Sequence, residues 1–309
     1  MKKTIRVLSV ALLVMVGYSL IPTAALYLGP SPKPYTNEEA AAKLARNEGE
    51  DFKFVILSDN HSGLVFNDSA TLKIIRSINR EGRFNKIPID FVAICGDITF
   101  RGSAWDYAIF NKIRGLINRP VISAFGNHDN DGNGAALVKN YIGPKEISFT
   151  DRNSYFIVLD NGTDSLNEEQ FIKFEAELKK SSTYKHRFVI IHKAPLSPYQ
   201  QSWYRPELSP WSNKFMQLCE KYKVDMVFSG HEHMFKDSVH GGVRYINTGG
   251  GGMLTTVPAS DGGYLNYVVV RVYGGYVDYE VRKVFPPFWE YISYYLWKDI
   301  LYAVKSVLI

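Results

Sequence analysis

Short runs of β-branched and aromatic residues recur along the chain from Phe52 onward. They are Phe52–Leu57, Phe91–Cys95, Val121–Phe125, Ser154–Leu159, Phe188–Ile191 and Met226–Phe228, followed by Val243–Ile246, Tyr264–Val272 and Tyr276–Val281. The early runs are apolar at nearly every position, the pattern of strands covered on both faces. Between them lie amphipathic stretches of helical period, Ser69–Arg80, Ala104–Ile117, Asn167–Lys180 and Ser212–Lys223. Strand and helix in alternation predict an α/β fold with at least one mixed sheet. Neither a linker nor an internal repeat interrupts residues 52–284, so they read as one large domain.

The two ends follow other patterns. Met1–Arg6 is basic, and the 22 residues from Val7 to Leu28 carry no charge and are mostly apolar. As a helix they reach about 33 Å at ~1.5 Å per residue, enough to cross a bilayer. This segment fits a cleaved export signal, with Thr23-Ala24-Ala25 as a passable cleavage site, or a retained anchor, which is favoured. Lys2, Lys3 and Arg6 would stay in the cytoplasm, placing the rest of the chain outside it. Gly29–Pro34 is a stiff proline-rich spacer, so residues 1–34 are read as leader and spacer and 35–284 as the domain. Asn37–Arg46 predicts a short surface helix ended by Gly49. After Pro286-Pro287, Trp289, Ile292, Leu296, Ile300, Ala303 and Val307 share one arc of a helix over residues 285–309. Its tyrosines and tryptophans suit either a membrane interface or packing on the domain.

Composition narrows the class. Hydrophobic residues make up 46% of the 309 and charged residues 22%, which excludes a disordered chain and a multi-span membrane protein. Two cysteines, Cys95 and Cys219, cannot build a disulfide scaffold. A net charge of +5, with no basic stripe interleaved with aromatics, gives no reason to expect a nucleic-acid partner.

The candidate chemistry sits directly after the apolar runs. Asp59-Asn60-His61, Gly96-Asp97, Gly126-Asn127-His128-Asp129, His192 and Gly230-His231-Glu232-His233 each follow one of them. Neighbouring strands would gather these groups at their carboxyl ends, where open α/β sheets place their sites. Each motif alone also reads as an ordinary turn or a core histidine; five in this arrangement do not. Asp, Asn and His are ligands for divalent metals, and Asp59, His61, Asp97, Asn127, His192, His231 and His233 are more than one ion needs. Two ions sharing a bridging carboxylate would use them. The ligand types suit Mn, Fe or Zn.

Together these motifs resemble the signature of the calcineurin-like metallophosphoesterase superfamily, over roughly Phe52 to Val284. Gly96–Ser103 resembles the branch of bacterial cyclic-nucleotide phosphodiesterase-like, single-domain enzymes, which often carries an acidic residue where Phe100 stands. The tyrosine ligand of purple acid phosphatases has no counterpart after Asp97, which disfavours that branch. The resemblance implies a four-layer α/β/β/α sandwich of two mixed sheets. It implies one ion on Asp59, His61 and His233, a second on Asn127, His192 and His231, and Asp97 bridging both. It implies His128 as a catalytic histidine outside the ligand set, oriented by Asp129, and hydrolysis of a phosphomonoester or phosphodiester by metal-activated water. Gly249–Gly252 is similar to a late glycine-rich turn of these enzymes and reads equally as a flexible loop.

Anchoring at one or both ends points to a lipid-linked phosphate or an envelope substrate, with a nucleotide phosphodiesterase as the alternative. Tyr199, Trp203, Tyr204 and Trp211, in and beside the Pro-rich loop Ala194–Pro210, read as an aromatic cap over the site or as a hydrophobic plug. A metal-binding scaffold without turnover is the reading from another class.

Overall fold

The computed structural model describes residues 22–84, 87–163, 165–196, 210–255 and 257–285. Residues 1–21, the aromatic loop residues 199, 203 and 204, and the C-terminal segment after Phe285 lie outside these. Among the described residues no helix is long and apolar enough to cross a membrane.

Two mixed sheets carry the fold. The first has the order β11-β10-β1-β2-β3, with β1 (Phe52–Leu57), β2 (Ile89–Ile94) and β3 (Val121–Ser123) parallel, and β10 (Asn266–Tyr273) and β11 (Tyr276–Lys283) antiparallel beside β1. The second has the order β4-β5-β6-β7-β9-β8. There β5 (Ser154–Val158), β6 (His186–Lys193), β7 (Met226–Gly230) and β9 (Val243–Thr248) are parallel. The antiparallel edges are β4 (Ile147–Asp151) and β8 (Phe235–His240).

Alternating strand residues face two ways, and the apolar runs fill both. Phe54, Phe91, Phe156, Phe188 and Phe228 meet between the sheets, with Phe54 and Phe91 stacked at 5.1 Å. Val55, Leu57, Val92 and Ile94 face outward to α2 (Val65–Phe84) and α3 (Ala104–Gly115). Ile157, Val189 and Val227 face outward to α5 (Glu168–Ser181) and α6 (Pro210–Lys221). The layers are therefore helix, sheet, sheet, helix. The short helix α1 (Asn37–Leu44) closes the edge beside β3 and β4, and α4 (Gly134–Tyr141) lies near α3.

Three elements were not legible as apolar runs. In β8 two of the six residues are half-buried and four exposed, so its sequence FKDSVH shows no buried face. β4 is a half-buried edge, and α4 is only a short helix after a turn.

The spacer, read from sequence as lying outside the fold, is packed against it. Residues 22–28 are helical, and Leu26 sits in the apolar cluster over α2 and α3. Asn111 Nδ2 donates to the Pro32 carbonyl at 2.6 Å, and Lys112 Nζ to the Tyr27 carbonyl at 2.9 Å. Buried Arg114 donates to the carbonyls of Tyr35 and Tyr141 at 2.8 and 2.7 Å, with its guanidinium 4.0 Å from the Tyr35 ring. A domain boundary at residue 35 thus falls inside a packed segment.

Candidate functional site

The carboxyl ends of β1, β2 and β3 in one sheet, and of β6 and β7 in the other, converge on one buried polar cluster. Asp59 and His61 follow β1, Asp97 follows β2, Asn127 and His128 follow β3, His192 lies within β6, and His231 and His233 follow β7. Three of these turns are tight enough to force the backbone left-handed, at four non-glycine residues. The φ angles are 62° at Asp59, 47° at His61, 48° at Asp97 and 70° at His231. L-residues adopt that region at a cost, and such strain concentrates at functional sites.

Two glycines permit the approach. A Cβ on Gly126 would meet Asp97 Oδ1 at 2.2 Å, and one on Gly230 would meet Ser58 Oγ at 1.9 Å and Asp59 Oδ2 at 2.3 Å. The late glycine-rich segment is a packed turn. Gly251 N–H donates to the Ser58 carbonyl at 2.9 Å, and Met253 N–H to the Asp59 carbonyl at 3.1 Å. His233 Nδ1–H donates to the Leu254 carbonyl at 3.1 Å.

Within the cluster Asp97 is central. Its Oδ2 lies 3.5 Å from His61 Nε2 and 3.3 Å from His192 Nε2, and its Oδ1 accepts the His128 backbone N–H at 2.9 Å. His192 Nε2 is also 3.1 Å from Asn127 Oδ1, while its Nδ1–H donates to the Cys95 carbonyl at 2.8 Å. On the other side, Asp59 Oδ1 lies 3.5 Å from His233 Nε2 and 3.9 Å from His61 Nε2. The Asp59 carboxylate accepts the His231 backbone N–H at 3.0 Å. Asp59, His61 and His233 bring ligand atoms within 4.8 Å of one another, and so do Asp97, His192 and His231. His61, Asp97 and His128 form a third such set, which places His128 at the seam between the other two. The seven residues expected to bind metal are therefore together, with Asp97 facing both halves.

The donor set fits a pair of cations. Both ring nitrogens of buried His61 lack a hydrogen-bond partner, although Nε2 faces two carboxylates. A buried polar atom left so is costly unless a ligand takes it. Electrostatics agree. Burial would raise Asp97 and Asp59, but His192 holds Asp97 far below the ordinary carboxylate range, and His233 holds Asp59 low. Burial together with His233 pushes His61 down to about 3, and burial together with His192 pushes His231 down to about 4. Burial opposes charge on His192 too, yet Asp97 lifts it to about 9, and Asp59 likewise raises His233 against burial. Each half of the site thus demands one positive charge beside a carboxylate and keeps one imidazole neutral, the state a metal ligand needs.

Asp129 requires a correction. It was expected to orient His128, but its carboxylate points the other way. Its Oδ1 accepts from Thr99 N and Oγ1 at 2.8 and 2.7 Å, and its Oδ2 from Gly126 N and Ile98 N at 2.9 and 3.3 Å. The two residues are consecutive in a 3₁₀ turn (His128–Asn130), where neighbouring side chains diverge. The His128 Nδ1–H donates instead to the Phe100 carbonyl at 2.9 Å, with Asp131 Oδ2 at 3.8 Å. Asp129 is a buried brace tying the turn after β3 to the turn after β2.

Sequence reading also missed Asn161. Its Oδ1 accepts from His192 N at 2.9 Å and Lys193 N at 3.0 Å, and its Nδ2 donates to the Lys193 carbonyl at 2.7 Å. It clamps β6 where the register with β7 shifts. An Asn-Gly pair after a strand reads as a turn, and no local signal distinguishes this one.

A buried nitrogen- and oxygen-ligand site at the strand ends of two stacked mixed sheets defines a class, and the sequence agrees: the calcineurin-like phosphoesterase family model matches residues 52–235, and the chain belongs to that family. It is a metal-dependent phosphoesterase. A protein of Vesicomyosocius okutanii described as a probable cyclic nucleotide phosphodiesterase is 26% identical over 198 residues, 62% of this chain and 80% of that one. In fold, the chain is similar to a purple acid phosphatase from yellow lupin seeds, at a TM-score of 0.61 and 15% identity. That match covers 82% of this chain and 53% of the lupin enzyme. It is also similar to GAP50, the anchor in the inner membrane complex of Plasmodium, at a TM-score of 0.58 and 17% identity, covering 76% of this chain and 85% of that one.

Proposed function

We propose that the chain hydrolyses a phosphomonoester or phosphodiester in this site, with His128 delivering the proton to the leaving oxygen, at the outer face of a membrane to which its apolar N-terminal segment holds it. The observation that carries the reading is the placement of Asp97 between His61 and His192, with His128 bonded through its backbone to the same carboxylate. Asp59, His61 and His233 would hold one metal ion and Asn127, His192 and His231 the other, with Asp97 serving both. Mn, Fe and Zn all suit these donors. Bound there, such ions supply Lewis-acid charge against phosphoryl oxygens and make water acidic enough to act as a nucleophile near neutral pH.

The chain's own groups do the rest. The Phe100 carbonyl holds Nδ1–H of His128, which fixes the tautomer and leaves Nε2 as the nitrogen that can carry a proton to the substrate. As the P–O bond breaks, that proton neutralises the departing oxygen, and water supplies its replacement. Asp129 keeps the His128 turn in place, Asn161 holds the His192 backbone, and the Cys95 carbonyl fixes the His192 ring.

The retained anchor gains support from the packing of Thr23 and Leu26 in the domain: cleavage after Ala25 would cut through a segment that the fold uses. The nucleotide reading is favoured by the relative described as a probable cyclic nucleotide phosphodiesterase. The test is metal content together with turnover of Mn-, Fe- or Zn-loaded protein on bis-p-nitrophenyl phosphate, p-nitrophenyl phosphate, cyclic nucleotides and lipid phosphates. Stoichiometric metal with turnover on at least one of these is expected. Stoichiometric metal with none would mean a scaffold.

A further inference from the structure

The segment between β2 and α3 sets a cation beside the metal cluster and gives it no counter-charge. Arg101 is exposed, and its guanidinium lies over the Phe100 ring, 5.0 Å from the ring centre, within reach of a cation–π contact. Phe100 in turn lies beside two histidines of the site. Its ring is 6.4 Å from that of His128 and within 18° of parallel to it, and 6.3 Å from that of His61. The two histidine rings are 4.5 Å apart. Exposure rises along this series: His61 is fully buried, the His128 side chain is 37% exposed, and Arg101 faces solvent. The series therefore runs from the metal cluster to the mouth of the site.

Carboxylates are close by, yet the guanidinium takes none of them. Asp106 Oδ2 accepts the Arg101 backbone N–H at 3.0 Å. Asp131 lies on the neighbouring turn, where a Cβ on Gly102 would meet its carbonyl oxygen at 2.2 Å. Among the described residues neither carboxylate forms an ion pair with Arg101, whereas Arg152, Arg244, Arg271 and Arg282 each hold at least one. A carboxylate in place of the Phe100 ring would neutralise the guanidinium. The ring instead fixes its direction and leaves its charge and its fork of donors for a group from outside.

What that group is follows from His128. The proton passes from its Nε2 to the leaving oxygen, so the leaving group lies against His128 and reaches out along the exposed side of the ring. Phe100 and Arg101 continue that side outward. A leaving group that follows them meets an apolar ring face first and a guanidinium after it. We infer that Arg101 is a specificity residue for the leaving group, and that the favoured phosphate ester is one whose leaving group carries a second oxygen-based anion, a ring's breadth from the ester oxygen. The inference rests on the phosphoesterase reading above, with His128 at the leaving oxygen.

The test compares 4-carboxyphenyl phosphate with 4-carbamoylphenyl phosphate, each as monoester and as methyl diester, on metal-loaded protein. The carboxylate and the neutral amide share a shape and differ in charge. kcat/KM should favour the carboxylate about tenfold or more, the scale of a charge-assisted pair of hydrogen bonds. Arg101→Gln should abolish that preference while leaving kcat/KM for the amide within about twofold and metal content unchanged, and Arg101→Lys should keep part of it. Titration calorimetry with the matching benzylphosphonates, which are not hydrolysed, should show the same preference and the same loss. A parent protein without the preference, or a preference that survives Arg101→Gln, would overturn the inference. So would an equal loss on both esters, which would make Arg101 a support for the His128 turn. Turnover of neither ester would overturn it as well, and hydrolysis of the other esters named above then decides whether the phosphoesterase reading stands.

Discussion

Asp97 and His192 meet at 3.3 Å across the seam between the two sheets, one from the end of β2 and the other from β6. Neither sheet holds a complete ligand set. Asp97→Asn keeps the shape of the side chain and removes the charge that faces both halves. Metal content should fall from two ions per chain to one or fewer, and turnover by about 10³-fold or more, since two-ion charge stabilisation is lost. Elemental analysis of the purified variant checks the first outcome, and full occupancy would refute the bridging role.

His128 should separate chemistry from metal binding. His128→Ala is expected to lower turnover about 10²-fold or more, the scale of a lost general acid, with metal content unchanged. Loss of metal with residual turnover as in the unaltered protein would place it among the ligands.

Asp129 should behave as a brace. Asp129→Ala leaves the Thr99, Gly126 and Ile98 amides buried without their acceptor, a loss of about 1–3 kcal/mol for each group that stays unpaired. Denaturant unfolding is expected to show a marked loss of stability. A variant as stable as the parent but with turnover reduced as in His128→Ala would restore Asp129 to a direct role in catalysis.

Asp68 gives a pH dependence with a definite sign. Burial lifts its carboxyl from 3.8 to about 7 against the hydrogen bonds from Tyr27 and Gly63, and nearby Asp106 adds to the rise. The folded state therefore holds a proton that the unfolded state releases near pH 4. Its contribution is full below that pH and is lost as pH rises through 7. Between pH 5 and 8 the protein should lose on the order of 1–3 kcal/mol from this group. Asp68→Asn should flatten that part of the curve. Thermal melts of both proteins across the range decide, and parallel curves would refute the assignment.

Much of the site was legible because its ligands follow apolar runs that can only be buried strands. His192 stood out after Phe188–Ile191, and Gly230-His231-Glu232-His233 after Met226–Phe228. What stayed hidden depends on direction or on distant partners. Asp129 adjoins His128 in sequence, but adjacency says nothing about where a turn aims two side chains. Asn161 acts through the backbone of β6, which the chain reaches only after α5. Phe100 contributes a carbonyl to His128, and a carbonyl leaves no mark in residue type. The edge strand β8 lacks a buried face to announce it.

The pairing of β1 with β10 has a consequence for synthesis. The segment matched by the family ends at residue 235, whereas β10 begins at Asn266 and lies directly against β1. A ribosome that has released every ligand has still not delivered the partner of the first strand. Until it does, β1 offers its unpaired amides and carbonyls to any neighbouring chain. Fragments that stop short of β10 should clump, however complete their inventory of histidines and aspartates.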